Sequence, residues 1–223
     1  MNPQERRRFR WAPNEAPATG RRATLHELSG ALRRSIEALM DSEIPEADLE
    51  AAAELAKTLA ARLEAATPAE RTLRGFAESA TAGAAEFEFD SSPLMGPGNP
   101  VAPPLVMRVA DDHVEGTAVF GQQYEGPPGH VHGGFVAAAF DEVLGMAQSM
   151  SQQPGMTGRL IVHYRRPTPL NRELRFTGQV DRVDGRKIFA SGKLYAGEQL
   201  CAEAEGLFIS VDFSRLERIA REG

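Results

Sequence analysis

Residues 129–150, Gly-His-Val-His-Gly-Gly-Phe-Val-Ala-Ala-Ala-Phe-Asp-Glu-Val-Leu-Gly-Met-Ala-Gln-Ser-Met, most limit what this chain can become. They read as one long helix, opened by a His-Gly-Gly turn and apolar almost all round. A helix without a polar face belongs inside a core. Two carboxylates, Asp141 and Glu142, nevertheless stand in its middle. Burying an unpaired charge is costly or forces a large pKa shift, so this pair marks the first place to look for function.

The flanking sequence shows what could cover such a helix. Residues 105–109 and 114–120 read as two strands around an Asp111-Asp112 turn. After the helix, residues 159–165, 174–183, 187–196 and 199–211 are β-branched and aromatic runs. Pro-Thr-Pro, Asp184-Gly185 and Ala196-Gly197 separate them, which is the punctuation of antiparallel hairpins. The order is two strands, one buried helix, then four strands. An antiparallel sheet needs one face covered, and this helix is the one element long enough to cover it. The expected architecture is α+β, a sheet of about six strands wrapped around the helix.

Upstream, residues 1–22 are rich in arginine (Arg6, Arg7, Arg8, Arg10) beside the single tryptophan, Trp11, and read as a mobile arm. Thr24 and Glu27 have capping-box spacing, and Leu25, Leu28, Leu32, Ile36 and Leu39 follow at helical intervals to about Met40. Pro45 opens a second amphipathic helix with Leu49, Ala52, Leu55, Leu59 and Leu63 on one face. A third runs from Pro68 to Phe76. Three such helices invite comparison with a helix-turn-helix module. Residues 41–90, however, hold 12 acidic and 4 basic residues, the wrong sign for reading a DNA groove. These helices are expected to pack on the main domain or on a dimer partner. Five prolines and two glycines between Ser91 and Pro104 make a long loop.

With 223 residues and a net charge of −6, the chain is sized for one domain plus an extension, and its field does not favour nucleic acid. No uninterrupted apolar run reaches the length of a membrane span. The single cysteine, Cys201, reads as core filler in a reducing, cytoplasmic compartment.

The element order, His132-Gly133-Gly134 with Asp141 nine residues after the histidine, Thr157-x-x-Leu-x-Val-x-Tyr-Arg-Arg-Pro-x-Pro-Leu and Asp184-Gly185-Arg186-Lys187 together resemble the hotdog-fold acyl-CoA thioesterases. The resemblance covers about residues 94–213. It is closest to the long-chain acyl-CoA thioesterases related to the carboxy-terminal modulator protein, and more broadly to the phenylacetate-pathway type. It implies hydrolysis of an acyl-CoA thioester to a free acid and CoA, without metal or other cofactor, by a homodimer or a dimer of dimers. The domain plan is an arm at 1–22, a helical extension at 23–78, a hotdog domain at 79–215 and a tail at 216–223.

Thioester hydrolysis needs donors for a developing oxyanion and a carboxylate acting on water or on the carbonyl carbon. A helix's first turn offers free amides and a favourable dipole, and glycine allows close approach. Gly133 is therefore the expected oxyanion donor, with Gly134 as fallback, and His132 orients the turn or the substrate. Asp141 is the expected base or nucleophile, while Glu142, 100° further round, faces elsewhere. The resemblance implies that the Thr157 hydroxyl helps hold the attacking water, and Arg165, Arg166, Arg186 and Lys187 are the candidates to meet the CoA phosphates. His130 is expected to shape the loop. His26, His113 and His163 have no companion at metal-ligand spacing. Nine residues place Asp141 roughly 13 Å along the axis from His132 and on the opposite side. If both act on one thioester, a second subunit must supply one of them. The rivals are a non-catalytic acyl-CoA or lipid sensor acting through a protein partner, and an enoyl-CoA hydratase, whose acid and histidine motif is not found here.

Overall fold

The computed structural model describes residues 17–40, 43–66, 90–153 and 155–211. The third expected helix, most of the arm with Trp11, the start of the sheet domain at 79 and the tail from 216 lie outside the described residues. Two N-terminal helices, α1 (Gly20–Met40) and α2 (Glu46–Glu64), precede a six-stranded sheet and its helix. These are β1 (Val106–Val109), β2 (Val114–Val119), α3 (Gly133–Ser149), β3 (Gly155–Tyr164), β4 (Glu173–Asp184), β5 (Lys187–Ala196) and β6 (Gln199–Ser210). The strands run in the order β1-β2-β4-β5-β6-β3, every neighbouring pair antiparallel. β1 and β3 are the two edges.

Helix α3 packs across β2 to β6, on a part of the sheet whose side chains are cut back beneath it. Gly178 pairs with Gly192, which pairs with Ala204, so a row of the smallest residues crosses three strands. A Cβ on Gly178 would stand 2.8 Å from a Val143 methyl, and one on Gly192 would stand 3.1 Å from Leu144. Larger residues there would lift the helix from its seat. Phe140 and Phe176 close the core edge-to-face at 5.5 Å. Cys201 is fully buried among these side chains. Burial pushes its thiol pKa up against weaker opposing contacts, so it fills the core and is a poor nucleophile.

The expected strands are found with ends moved by a few residues. β3 begins at Gly155 instead of 159, so Thr157 lies inside it, next to a bulge between Thr157 and Arg159. Helix α3 starts at Gly133, at the His-Gly-Gly turn expected to open it. Gly129 takes φ +74, a left-handed turn, and residues 125–131 are held by short bridges to each other and to Pro169.

Helix α1 begins one turn before the expected cap. Thr24 is therefore internal, its hydroxyl donating back to the Gly20 carbonyl at 3.4 Å, and the capping box does not form. The early start places Arg22 on the helix, where its Nε donates to Asp90 at 2.6 Å and its Nη2 at 3.0 Å. Further along, Ser29 donates to the Gly98 carbonyl at 2.7 Å, and Arg33 to the Ala102 and Asn99 carbonyls at 2.6 and 2.7 Å. The proline-rich loop is thus a strap stitched to α1. Tyr124 holds it from below through a bond to the Val101 carbonyl at 2.7 Å, its phenol kept neutral because burial pushes the pKa up to about 12. α2 buries no residue of its own, and Leu55 on its apolar face is 73% exposed.

Candidate active site

The two acids of α3 face different surroundings. Asp141 is exposed, and the Thr157 hydroxyl donates to its Oδ1 at 2.8 Å. The bulge beside Thr157 locally twists the edge strand. Glu142 turns under the strap, where the Ser92 hydroxyl donates to its Oε1 at 3.3 Å. Burial raises the Glu142 pKa above the ordinary carboxylate value. The Ser92 bond works against that shift, and the neighbouring Asp141 charge adds to it. Of the two acids, Asp141 is the exposed one and Glu142 the one turned under the strap.

The start of α3 is built from three contacts. His132 is the N-cap, and its Nδ1 accepts the Gly134 N–H at 3.0 Å. A neutral ring therefore carries its proton on Nε2, free to donate outward. The Gly134 amide is thus occupied, and the Gly133 amide is the one left without an acceptor among the described residues. Tyr164, at the end of β3, donates its hydroxyl to the Gly133 carbonyl at 2.7 Å, and a Cβ on Gly133 would stand 3.3 Å from the Tyr164 ring. The sequence reading missed this role. Tyr164 stands inside the quoted Val-x-Tyr-Arg-Arg segment, but nothing in its spacing announces a contact 31 residues away. Beside the turn runs an open groove lined by Pro127, Val131, Gly133, Val136, Tyr164 and Pro167, with Arg165 and Arg166 at its rim.

The four candidate phosphate ligands fall into two groups within one chain. Arg165 and Arg166 flank the Gly133 groove, though the Arg165 Nε is engaged by Glu203 at 2.8 Å. Arg186 and Lys187 sit where β4 turns into β5. There Lys187 pairs with Ile209 and Arg186 bonds to the Ser210 carbonyl, at the Thr157 end of β3. His130 binds the Pro128 carbonyl at 2.8 Å and so shapes its loop as expected. His26 lies 3.0 Å from Asp90, and His113 sits between Asp112 and Glu115. Among the described residues no metal-binding group of three or more His, Cys, Asp or Glu forms, and no helix is long and apolar enough to cross a membrane.

The sequence profile of the thioesterase superfamily matches residues 128–203, a span that contains His132, Gly133, Asp141, Thr157 and Tyr164. A crystal structure of a thioesterase superfamily protein is 36% identical, with 89% of this chain and 97% of that one matched at a TM-score of 0.73. This chain belongs to the thioesterase superfamily. A match over 89% of the chain cannot be reached without residues before Asp90, so the likeness of this thioesterase superfamily member to that relative extends beyond the sheet and its helix. The acyl-coenzyme A thioesterase THEM4 of Bos taurus is 36% identical over 94 residues, 41% of this chain and 38% of that protein. THEM4 of Xenopus laevis is 34% identical over 93 residues, 41% and 42% of the two chains. The chain thus matches about two fifths of the length of these curated relatives.

Proposed function

We propose that this protein hydrolyses acyl-CoA thioesters to a free carboxylic acid and CoA. The observation that carries the reading is the Thr157–Asp141 hydrogen bond at 2.8 Å. It fixes one carboxylate oxygen and leaves the other free to take a proton from water, an arrangement of no use to a protein that only binds. In this mechanism the water oxygen attacks the thioester carbonyl carbon as Asp141 accepts its proton. The oxyanion is held by the Gly133 amide at the start of α3, with His132 Nε2–H as a second donor. The C–S bond then breaks, and the departing CoA thiolate takes the proton that Asp141 accepted, which restores the carboxylate.

One copy of the chain cannot complete this site. Gly133 and Asp141 are eight residues apart on a single helix, roughly 12 Å along its axis. The two halves also touch opposite ends of β3, Gly133 through Tyr164 and Asp141 through Thr157. The outer edge of β3 is unpaired among the described residues and carries exposed Met156, Ile161 and Tyr164. Such an edge is a template for another strand. Antiparallel pairing of β3 with a second copy of itself, centred near Leu160, would bring the Tyr164 end of one subunit against the Thr157 end of the other. A homodimer, alone or as half of a tetramer, then has two shared sites. Each combines Gly133, Arg165 and Arg166 of one subunit with the partner's Asp141 and Thr157, and the partner's Arg186 and Lys187 lie on the same side for the CoA phosphates. The buried, unreactive Cys201 fits the cytoplasmic location proposed with this activity.

Free-thiol release from a series of acyl-CoAs tests the reaction, and an absence of turnover with every member overturns it. Mixing inactive Asp141→Ala and Gly133→Pro subunits tests the sharing. Mixed dimers should regain one intact site, whereas no recovery after demonstrated subunit exchange assigns the whole site to a single chain.

A further inference from the structure

Two successive glycines open α3, and the peptide between them is held at both ends. Its carbonyl, that of Gly133, accepts the Tyr164 hydroxyl at 2.7 Å. Its N–H, that of Gly134, donates to His132 Nδ1 at 3.0 Å. Hydroxyl, peptide and imidazole thus stand in series, each donating to the next, and a neutral ring at the end still has an N–H to give at Nε2. The direction of the series matters. Hydrogen bonds in a chain polarise one another, so a proton donated to the Gly133 carbonyl makes the Gly134 N–H a stronger donor. A stronger donor there favours the ring form whose Nδ1 carries an open lone pair.

Glycine restrains its own backbone less than any other residue, so a Gly-Gly pair at a helix start depends on outside support. On one side, the His132 N–H donates to the Tyr124 carbonyl at 2.8 Å. On the other, Tyr164 pairs with Ala202 at the end of β3, and the Arg165 and Arg166 amides that follow both donate to the Cys201 carbonyl. The hydroxyl is therefore carried by a backbone fixed in the sheet. The three atoms nearest to a Cβ built on Gly133 all belong to the Tyr164 ring and hydroxyl, at 3.3 to 3.4 Å. Turn and ring are matched in shape.

We infer that Tyr164 is a positioning residue, which acts through the Gly133–Gly134 peptide to keep His132 in the tautomer that donates from Nε2. The inference rests on the thioesterase reading, in which that N–H is the second donor to the oxyanion. It assigns a task to a hydroxyl that the reaction itself does not consume.

The test follows the His132 ring nitrogens by NMR in the full-length wild type and in Tyr164→Phe, in mildly alkaline solution, with His132→Ala identifying the signal. The wild-type ring should be in the Nε2–H form, and Tyr164→Phe should raise the Nδ1–H share severalfold. An unchanged tautomer ratio overturns the inference. Thiol release from acyl-CoAs gives a second readout. In Tyr164→Phe, kcat should fall by about tenfold, near the worth of one hydrogen bond, with KM within about twofold of wild type. Tyr164 is 54% exposed, so the melting temperature should stay near wild type. A raised KM at unchanged kcat would make Tyr164 a wall of the groove and overturn its action on the donors. So would the same tenfold loss in a His132→Ala background, since two members of one chain do not add. A wild type that shows the tautomer shift on Tyr164→Phe but releases thiol from no acyl-CoA supports the relay and overturns the thioesterase reading.

Discussion

Asp141 and Glu142 are neighbours on one helix with opposite surroundings. Asp141 is exposed, held by one hydroxyl from the edge strand β3, and open on its other oxygen. Glu142, 100° round the helix, is covered by the strap and tied into the layer that α1 clamps through Asp90, Gly98 and Asn99. Under the proposed mechanism, burial marks the structural acid and accessibility marks the chemical one. This contrast also divides the molecule into two sides, a reacting side toward β3 and a supporting side toward α1. Substitutions on the first should change rate without stability, and those on the second stability without rate.

The largest effect is expected at Asp141. Asp141→Asn keeps the shape and removes the proposed base, and turnover should fall by about 10²–10⁴-fold while the melting temperature stays near wild type. A variant that keeps wild-type rates on several acyl-CoAs would break the distinction. On the supporting side, Asp90 is 5% exposed and bound by Arg22 and His26. Burial acts to raise its pKa, but the hydrogen bonds and charges of those two residues outweigh it and hold the carboxyl below its ordinary 3.8. Asp90→Asn should cost roughly 2–3 kcal/mol, below the usual range for a fully buried pair because Arg22 is partly exposed. Since the folded pKa is depressed, that stability is fully present above the unfolded value and is lost as pH falls through the folded one. Urea unfolding of the two proteins should therefore differ at pH 7 and converge in strong acid. A constant difference would show that Asp90 acts through something other than its charge. Next comes Thr157→Val, which keeps the shape and removes the hydroxyl. It should lower kcat by about tenfold, near the value of one hydrogen bond, with little change in stability. A loss as large as that of Asp141→Asn would make Thr157 a direct participant in the chemistry.

Much of this arrangement was legible before any coordinates, for a physical reason. The strands announce themselves by alternation and by the turns at Gly185 and Gly197, which take φ +56 and +59. The long apolar helix announces itself by having nothing else to do. These are local signals. The parts that escaped reading depend on partners far away in sequence. The start of α1 is set by Arg22 reaching Asp90 across 68 positions, a tertiary contact that overrides the capping pattern at Thr24. The proline-rich segment reads as a loop because its prolines forbid regular structure. Only the arginines and serine of α1 make it a strap. At the site, Gly133 and Asp141 follow from helix physics and resemblance. Tyr164 and the choice of Gly133 over Gly134 require knowing where the His132 ring and the end of β3 point, and spacing along the chain does not encode that.

The smallest predicted effect divides the two acids most sharply. Glu142 has a folded pKa raised above its ordinary 4.5, chiefly by burial. Between the unfolded value and the raised folded one, the folded state binds more protons than the unfolded chain, so stability falls as pH rises through that window. Above it the charged carboxylate sits under the strap at a standing cost. Glu142→Gln is neutral at every pH and can still accept the Ser92 hydroxyl through its amide oxygen. The variant should therefore match wild type below the window and exceed it at neutral pH, by less than about 1 kcal/mol, with kcat unchanged. Thermal melts at several pH values, paired with thiol-release rates, check both halves. A variant that is less stable at neutral pH would mean that the Glu142 charge serves the fold. A loss of turnover would move Glu142 to the reacting side, and the division of α3 into a chemical and a structural face would no longer hold.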